Sequence, residues 1–145
     1  MADLRDDAIN LLGAAARAVR TATDRRLAKY GVYAGQHLIL ACLWEEDGLT
    51  PSQVASRLAL ETPTVTRAVQ RMEAAELIER RGDIRDGRLV RIWLLPKGRT
   101  MRRVIGRVTD QVRAEVFADL NPREQAMLAN LLSKLTLPRS RTGSE

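Results

Sequence analysis

Between Thr62 and Arg71 the chain places Thr62, Thr64, Thr66, Arg67, Gln70 and Arg71, with no carboxylate before Glu73. These side chains suit the chemistry of nucleic-acid edges: Arg pairs with guanine, Gln with adenine, and Thr with phosphates or the thymine methyl. At about 100° per residue of helix, Val65, Ala68, Val69, Met72 and Glu76 cluster on one side, apolar until the last turn. Thr64, Thr66, Arg67, Gln70 and Arg71 fill the other. The first group reads as a core face. The second is either a solvated surface or a reading surface.

The following segment favours reading. From Arg80 to Arg103 there are nine basic residues against Asp83 and Asp86, a surplus of seven where the whole chain carries +6. The remainder is therefore slightly acidic and the positive charge is local, as a phosphate backbone requires. An Arg-bearing hairpin tip also suits the minor groove, where a narrow A·T tract concentrates negative potential.

The elements that must position these residues follow from periodicity. At 145 residues the chain is long enough for one domain with a real core, and its 3% aromatic content suits aliphatic helices better than a β-sandwich. Ala8, Leu11, Ala15, Val19 and Ala22 predict one long helix over about 4–30, and a second is expected over about 34–46. Thr50, Pro51 and Gln53 form a capping box opening a short helix to Leu58, and Thr62-Pro63 repeats the opening. Only three residues separate the two, a helix-turn-helix spacing. After Leu77 the period changes to two: Val90, Ile92 and Leu94 alternate with Arg91 and Trp93 in a hairpin whose tip, Asp86-Gly87, calls for positive φ. Pro96-Lys97-Gly98 ends the second strand. Two more helices follow, the last opened by Asn121-Pro122-Arg123-Glu124, and residues 138–145 read as a loose polar tail.

Over roughly Leu4 to Leu137 the chain resembles the MarR family of bacterial winged helix-turn-helix regulators. The resemblance is carried by "GQHLILACLWEEDGLTPSQVASRL", "PTVTRAVQRMEAAELIERRGD" and "DIRDGRLVRIWLLPKG", and above all by the wing pattern acid-x-Arg-Asp-x-Arg. It implies a mainly α fold with a small β-wing, as one domain over 1–145. Residues of about 4–30 and 98–137 would form a helical dimerisation region around a winged helix-turn-helix of about 34–97. It further implies a homodimer on a palindromic double-stranded DNA operator, most often a repressor. Thr62, Thr64, Thr66, Arg67, Gln70 and Arg71 would then contact DNA, with Arg85 and Arg88 near the minor groove and Asp86 pairing with Arg88 to brace the wing. Two positions depart from the family pattern: Glu76 stands where Gly is usual before the first strand, and Leu95-Pro96 where Leu-Thr often precedes Lys-Gly.

Family members often take small aromatic acids or phenolics between the dimer helices and the reading lobe. Tyr33, His37, Leu40 and Trp44 fall at i, i+4, i+7 and i+11, one stripe that reads either as core or as the wall of such a cleft. The cleft reading takes Tyr30, Tyr33, His37 and Trp44 as lining, with Arg17 or Arg20 as counter-charge. Cys42 has no cationic neighbour in sequence and reads as an inert thiol, and one Cys with one His argues against a dedicated zinc site. No cofactor is expected. The segments carry no phosphate loop or nucleophile elbow, which argues against an enzyme. A cytoplasmic protein with no membrane span is expected. Two rivals stay open: a winged-helix module that binds protein instead of DNA, which predicts an acidic or unpatterned reading face, and a DNA-binding regulator that responds to no ligand.

Overall fold

The computed structural model describes residues 4–33 and 35–135. Helices α1 (Leu4–Ala28), α2 (Gln36–Glu45), α3 (Pro51–Leu58) and α4 (Thr62–Ala74) precede strands β1 (Ile78–Gly82) and β2 (Val90–Leu94). Helices α5 (Pro96–Val116) and α6 (Pro122–Ser133) complete the chain. The strands pair antiparallel, from Ile78 opposite Leu94 to Gly82 opposite Val90, and Leu49 adds a bridge to Ile92 on the other edge of β2. The mainly helical fold with a small wing is thus as expected. The expected tail, 138–145, lies outside the described residues. No helix among the described residues is long and apolar enough to cross a membrane.

Both expected capping boxes form. Thr50 and Gln53 bond reciprocally at the start of α3, as do Asn121 and Glu124 at the start of α6. The second Thr-Pro opening differs. Glu61, not Thr62, is the N-cap of α4, and Thr62 is already helical. Val65 has no polar group to return a bond to the cap, so nothing holds Thr62 outside the helix. At the other end of the wing, Pro96 does not merely end β2 but opens α5, where its fixed φ suits the first turn. Gly98 lies inside that turn because a Cβ there would come within 2.1 Å of the Leu77 carbonyl oxygen.

Val54, Val65, Val69, Met72, Leu77, Ile78 and Ile92 form the fully buried centre of the lobe built from α3, α4 and the hairpin, together with Leu40 and Leu43 of α2. A second zone of the same core joins Ala22 and Leu27 of α1 to Ile105, Val108 and Val112 of α5. Helix α6 buries no residue; Met127, Leu131, Leu132 and Leu135 stand exposed, as do Ile9, Leu11, Leu12 and Val19 of α1.

Candidate nucleic-acid interface and adjoining cleft

The buried face of α4 is Val65, Val69 and Met72, as the periodicity requires. Opposite it, Arg67, Gln70 and Arg71 are exposed, and no described residue bonds their side chains. The threonines divide. Thr62 is exposed, whereas Thr66 is half-buried and donates its hydroxyl to the Thr62 carbonyl (3.0 Å). Thr64 is exposed too, but turns toward a neighbouring cleft. The one carboxylate late in α4 is neutralised: Glu73 accepts from the Arg80 guanidinium (2.9 and 3.1 Å) and from its backbone N–H (2.7 Å). Those bonds hold the Glu73 carboxyl below its usual pKa, so the face beside it stays positive.

The wing is organised by two aspartates, not by a two-residue turn. Its loop spans 83–89, and among the described glycines only Gly31, Gly35 and Gly48 have positive φ, so the expectation for Gly87 does not hold. One Asp83 carboxylate oxygen accepts from the backbone N–H groups of Arg85 (2.7 Å) and Asp86 (2.9 Å). The other accepts from Arg91, whose second nitrogen reaches the Gly48 carbonyl (2.9 Å). These side-chain turns supply the curvature that a left-handed glycine would otherwise provide. Asp83 is held at about 2, chiefly by the Arg91 guanidinium and then by the two backbone donors. Asp86 accepts from the Arg88 guanidinium (3.1 and 3.3 Å) and backbone (3.1 Å). Arg85 and Arg88 are both exposed. On sequence grounds Arg91 is only one of the nine basic residues and Asp47 only the close of the second helix. Asp47 takes the backbone N–H of Leu94 (2.9 Å) and so fixes the end of β2 against the α2–α3 turn.

A helix-turn-helix with a basic exposed face thus stands beside a braced two-stranded wing. The MarR family model matches residues 32–90. The HTH-type transcriptional regulator TtmR of Methylorubrum extorquens is 35% identical over 131 residues, 90% of this chain and 67% of that protein. The chain belongs to the MarR family. It is a DNA-binding transcriptional regulator of the winged helix-turn-helix type. In fold it is also similar to a cysteine mutant of E. coli MarR complexed with operator DNA (TM-score 0.82, 22% identity, 94% of this chain and all of that one). Bordetella bronchiseptica BpsR, whose DNA binding is regulated by 6-hydroxynicotinic acid, is similar as well (TM-score 0.79, 24% identity, 88% and 97% coverage).

This MarR-family chain has a cleft of about 790 Å³ between α1, the α5–α6 corner and the back of α4. Its apolar walls include Leu12, Val19, Leu38, Val116, Phe117 and Leu128, and its polar groups are Arg20, Thr23, Asp24, His37 and Thr64. Of the sequence-derived lining residues, only Arg20 and His37 are there. Tyr33 is exposed and precedes α2, since Gly35 in the left-handed region (φ 79°) delays that helix to Gln36. Trp44 shares the angular direction of His37 but lies two turns further on, where its indole N–H donates to the Gly98 carbonyl (3.0 Å). Tyr30 and Arg17 are exposed away from the cleft. His37 keeps a buried Nδ1 with no hydrogen-bond partner. Burial pushes its pKa down, against a smaller upward pull from Asp24. Cys42 is buried on the same helix, and burial pushes its thiol up despite the opposing charge of Arg57.

Proposed function

We propose that the protein is a homodimeric repressor of an inverted-repeat operator, relieved by a small aromatic acid or phenol bound in the cleft. The observation that carries this reading is the position of the cleft, whose walls come from α1, α5 and α6 on one side and from Thr64, Val65 and Ala68 of the reading helix on the other. An occupant touches both at once, and so favours one separation of reading helix and helical frame over another. Arg20 supplies a counter-charge for a carboxylate and the unpartnered His37 nitrogen a hydrogen-bond site, in a space sized for a small molecule. BpsR, with its 6-hydroxynicotinic acid, is the relative that supports an acid of this kind. For the dimer, the support is the apolar surface left bare on α1 and α6. A second copy covers it with least new chemistry. On DNA, Arg67, Gln70 and Arg71 with Thr62 read a major groove, Thr64 faces the cleft, Thr66 backs the helix, and Arg85 and Arg88 approach the flanking minor groove, braced by Asp86.

The test uses a duplex selected by the protein from a random-sequence library. Half-sites about one helical turn apart and a dimer by light scattering at micromolar concentration are expected. A panel containing 6-hydroxynicotinate, salicylate and benzoate is then added to the complex. Release of DNA from wild type, but not from a His37→Ala protein that binds DNA normally, supports the cleft assignment. A coupling of about 1–3 kcal/mol lowers operator affinity about 5- to 150-fold. A monomer in solution refutes the dimer, and loss of DNA binding with His37→Ala means that the residue is packing. Should none of the acids release DNA, the reading becomes that of a ligand-independent regulator.

A further inference from the structure

Ile84 is the most exposed large apolar side chain among the described residues, at 103% relative exposure. It borders the hollow formed with Gly48, Arg81 and Trp93, yet buries nothing there. It adds nothing to the stability of the lobe. The backbone around it is nevertheless held firmly. Asp83 N–H donates to the Leu89 carbonyl (2.9 Å), Leu89 N–H returns a bond to the Asp86 carbonyl (3.0 Å), and the Asp83 carboxylate ties down the next two amides. A β-branched side chain has few rotamers, so a fixed backbone presents its methyl groups in a nearly fixed direction. The neighbouring Arg85 is exposed, with no described residue bonding its side chain. A rigidly held apolar point beside an exposed cation is thus carried on the loop of a DNA-binding wing.

We propose that Ile84 is a shape-reading contact, its methyl groups packing against the deoxyribose walls of the minor groove beside Arg85. Hydrogen-bond readout in that groove is largely limited to A·T against G·C. Its width and deformability carry the remaining sequence information, and apolar side chains including Ile are known to wedge into it. Ile84 selects steps flanking each half-site that accept a methyl-bearing probe, at positions the reading helix does not touch. This inference rests on the wing lying in the minor groove.

An apolar contact and a phosphate contact leave different signatures. Losing a cation removes counterion release and lowers the salt slope by about one unit, whereas losing a methyl surface lowers affinity at every salt concentration alike. Affinity for the library-selected duplex is measured across a salt series with wild type, Ile84→Ser, Ile84→Val and Arg85→Ala. The expected result for Ile84→Ser is a loss of about five- to tenfold for each wing engaged, with the slope unchanged. Ile84→Val is expected within about twofold of wild type, because it keeps most of the apolar surface. Repeating the library selection with Ile84→Ser should flatten the flanking preference and leave the half-site core intact. Thermal midpoints confirm that the variants fold as wild type does. Ile84→Ser binding like wild type while Arg85→Ala loses slope overturns the Ile84 inference alone. A reduced slope with Ile84→Ser also overturns it, since the residue would then act through a cation. An Arg85→Ala protein unchanged in both affinity and slope removes the wing from the groove, and the inference falls with it.

Discussion

Replacing Glu76 with glycine should stabilise the protein. Glu76 has φ 59°, in the left-handed region, immediately after the reading helix. Its N–H donates to the Glu73 carbonyl (3.0 Å) and the next N–H, Leu77, donates to Met72 (3.0 Å). That pair of bonds is a Schellman ending with Glu76 in the glycine position, and Met72 and Leu77, both fully buried, provide its hydrophobic contact. A left-handed conformation costs an L-residue about 1–2 kcal/mol. Glycine removes that strain but loses about 0.4–1 kcal/mol through the extra freedom of its unfolded chain. The net gain is about 0.5–1 kcal/mol, or about 2–4 °C in thermal midpoint per kcal/mol for a chain of this size. The control lies two residues earlier: Ala74→Gly, in the last helical position of α4, should cost about 1 kcal/mol. Urea titrations followed by helical circular dichroism measure both. Opposite signs for the two substitutions are the expected outcome, and equal losses would refute the reasoning, because strain at position 76 could then not be what separates them.

Arg67→Ala or Gln70→Ala should each cost about 1–3 kcal/mol in operator affinity and relax preference at one position per half-site, measured by binding to single-base operator variants. Asp83, at about 2 instead of 3.8, has a depressed pKa, so its contribution to wing order is full above 3.8 and is lost as pH falls through about 2. Amide exchange at Arg85 and Asp86 should therefore show no Asp83-dependent change between pH 5 and 8, and an Asp83→Asn protein should show faster exchange across that range. His37 has the opposite charge type: its folded pKa lies below 6.5, so the native state takes up the proton less readily than the unfolded chain. Its contribution is constant well above 6.5 and turns unfavourable as pH falls below that value, so stability should decline less on acidification in His37→Gln than in wild type.

Local signals in the sequence were sufficient for the frame. The Thr50–Gln53 and Asn121–Glu124 boxes, the face of Val65, Val69 and Met72, and the phase of Ile92 and Leu94 all depend on neighbours within a few positions, and all form. The departure noted at Glu76 marks a real backbone constraint at φ 59°. The cleft was far less legible. Helical spacing gives an angle about the axis but not a height along it, so His37 and Trp44 share a direction yet meet different partners, α1 and Gly98. Asp24, Phe117 and Leu128 reach the cleft from elements far apart in sequence, and no local pattern announces that convergence. The wing anchor was hidden for the same reason, since the Arg91 contact with Gly48 spans 43 positions.

The root of α5 has a mechanical consequence. Trp44 holds the Gly98 carbonyl, Lys97 donates to the Ala75 carbonyl (3.0 Å), and Gly98 admits the Leu77 backbone at a distance that no side chain tolerates. The helix is thereby fastened to α2, to the end of α4 and to the start of β1, while farther along it packs on α1 through Ile105, Val108 and Val112. With 21 residues it is about 31 Å long, a rigid lever whose short arm lies in the helical frame. Val108, midway along the contact with α1, lies 12 residues from Pro96, an arm of about 18 Å, so a tilt of about 10° about that point moves the root of α5 by about 3 Å. One base pair advances about 3.4 Å along DNA. A small change of angle where α5 meets α1 is therefore magnified at its root into a displacement of about one base-pair step.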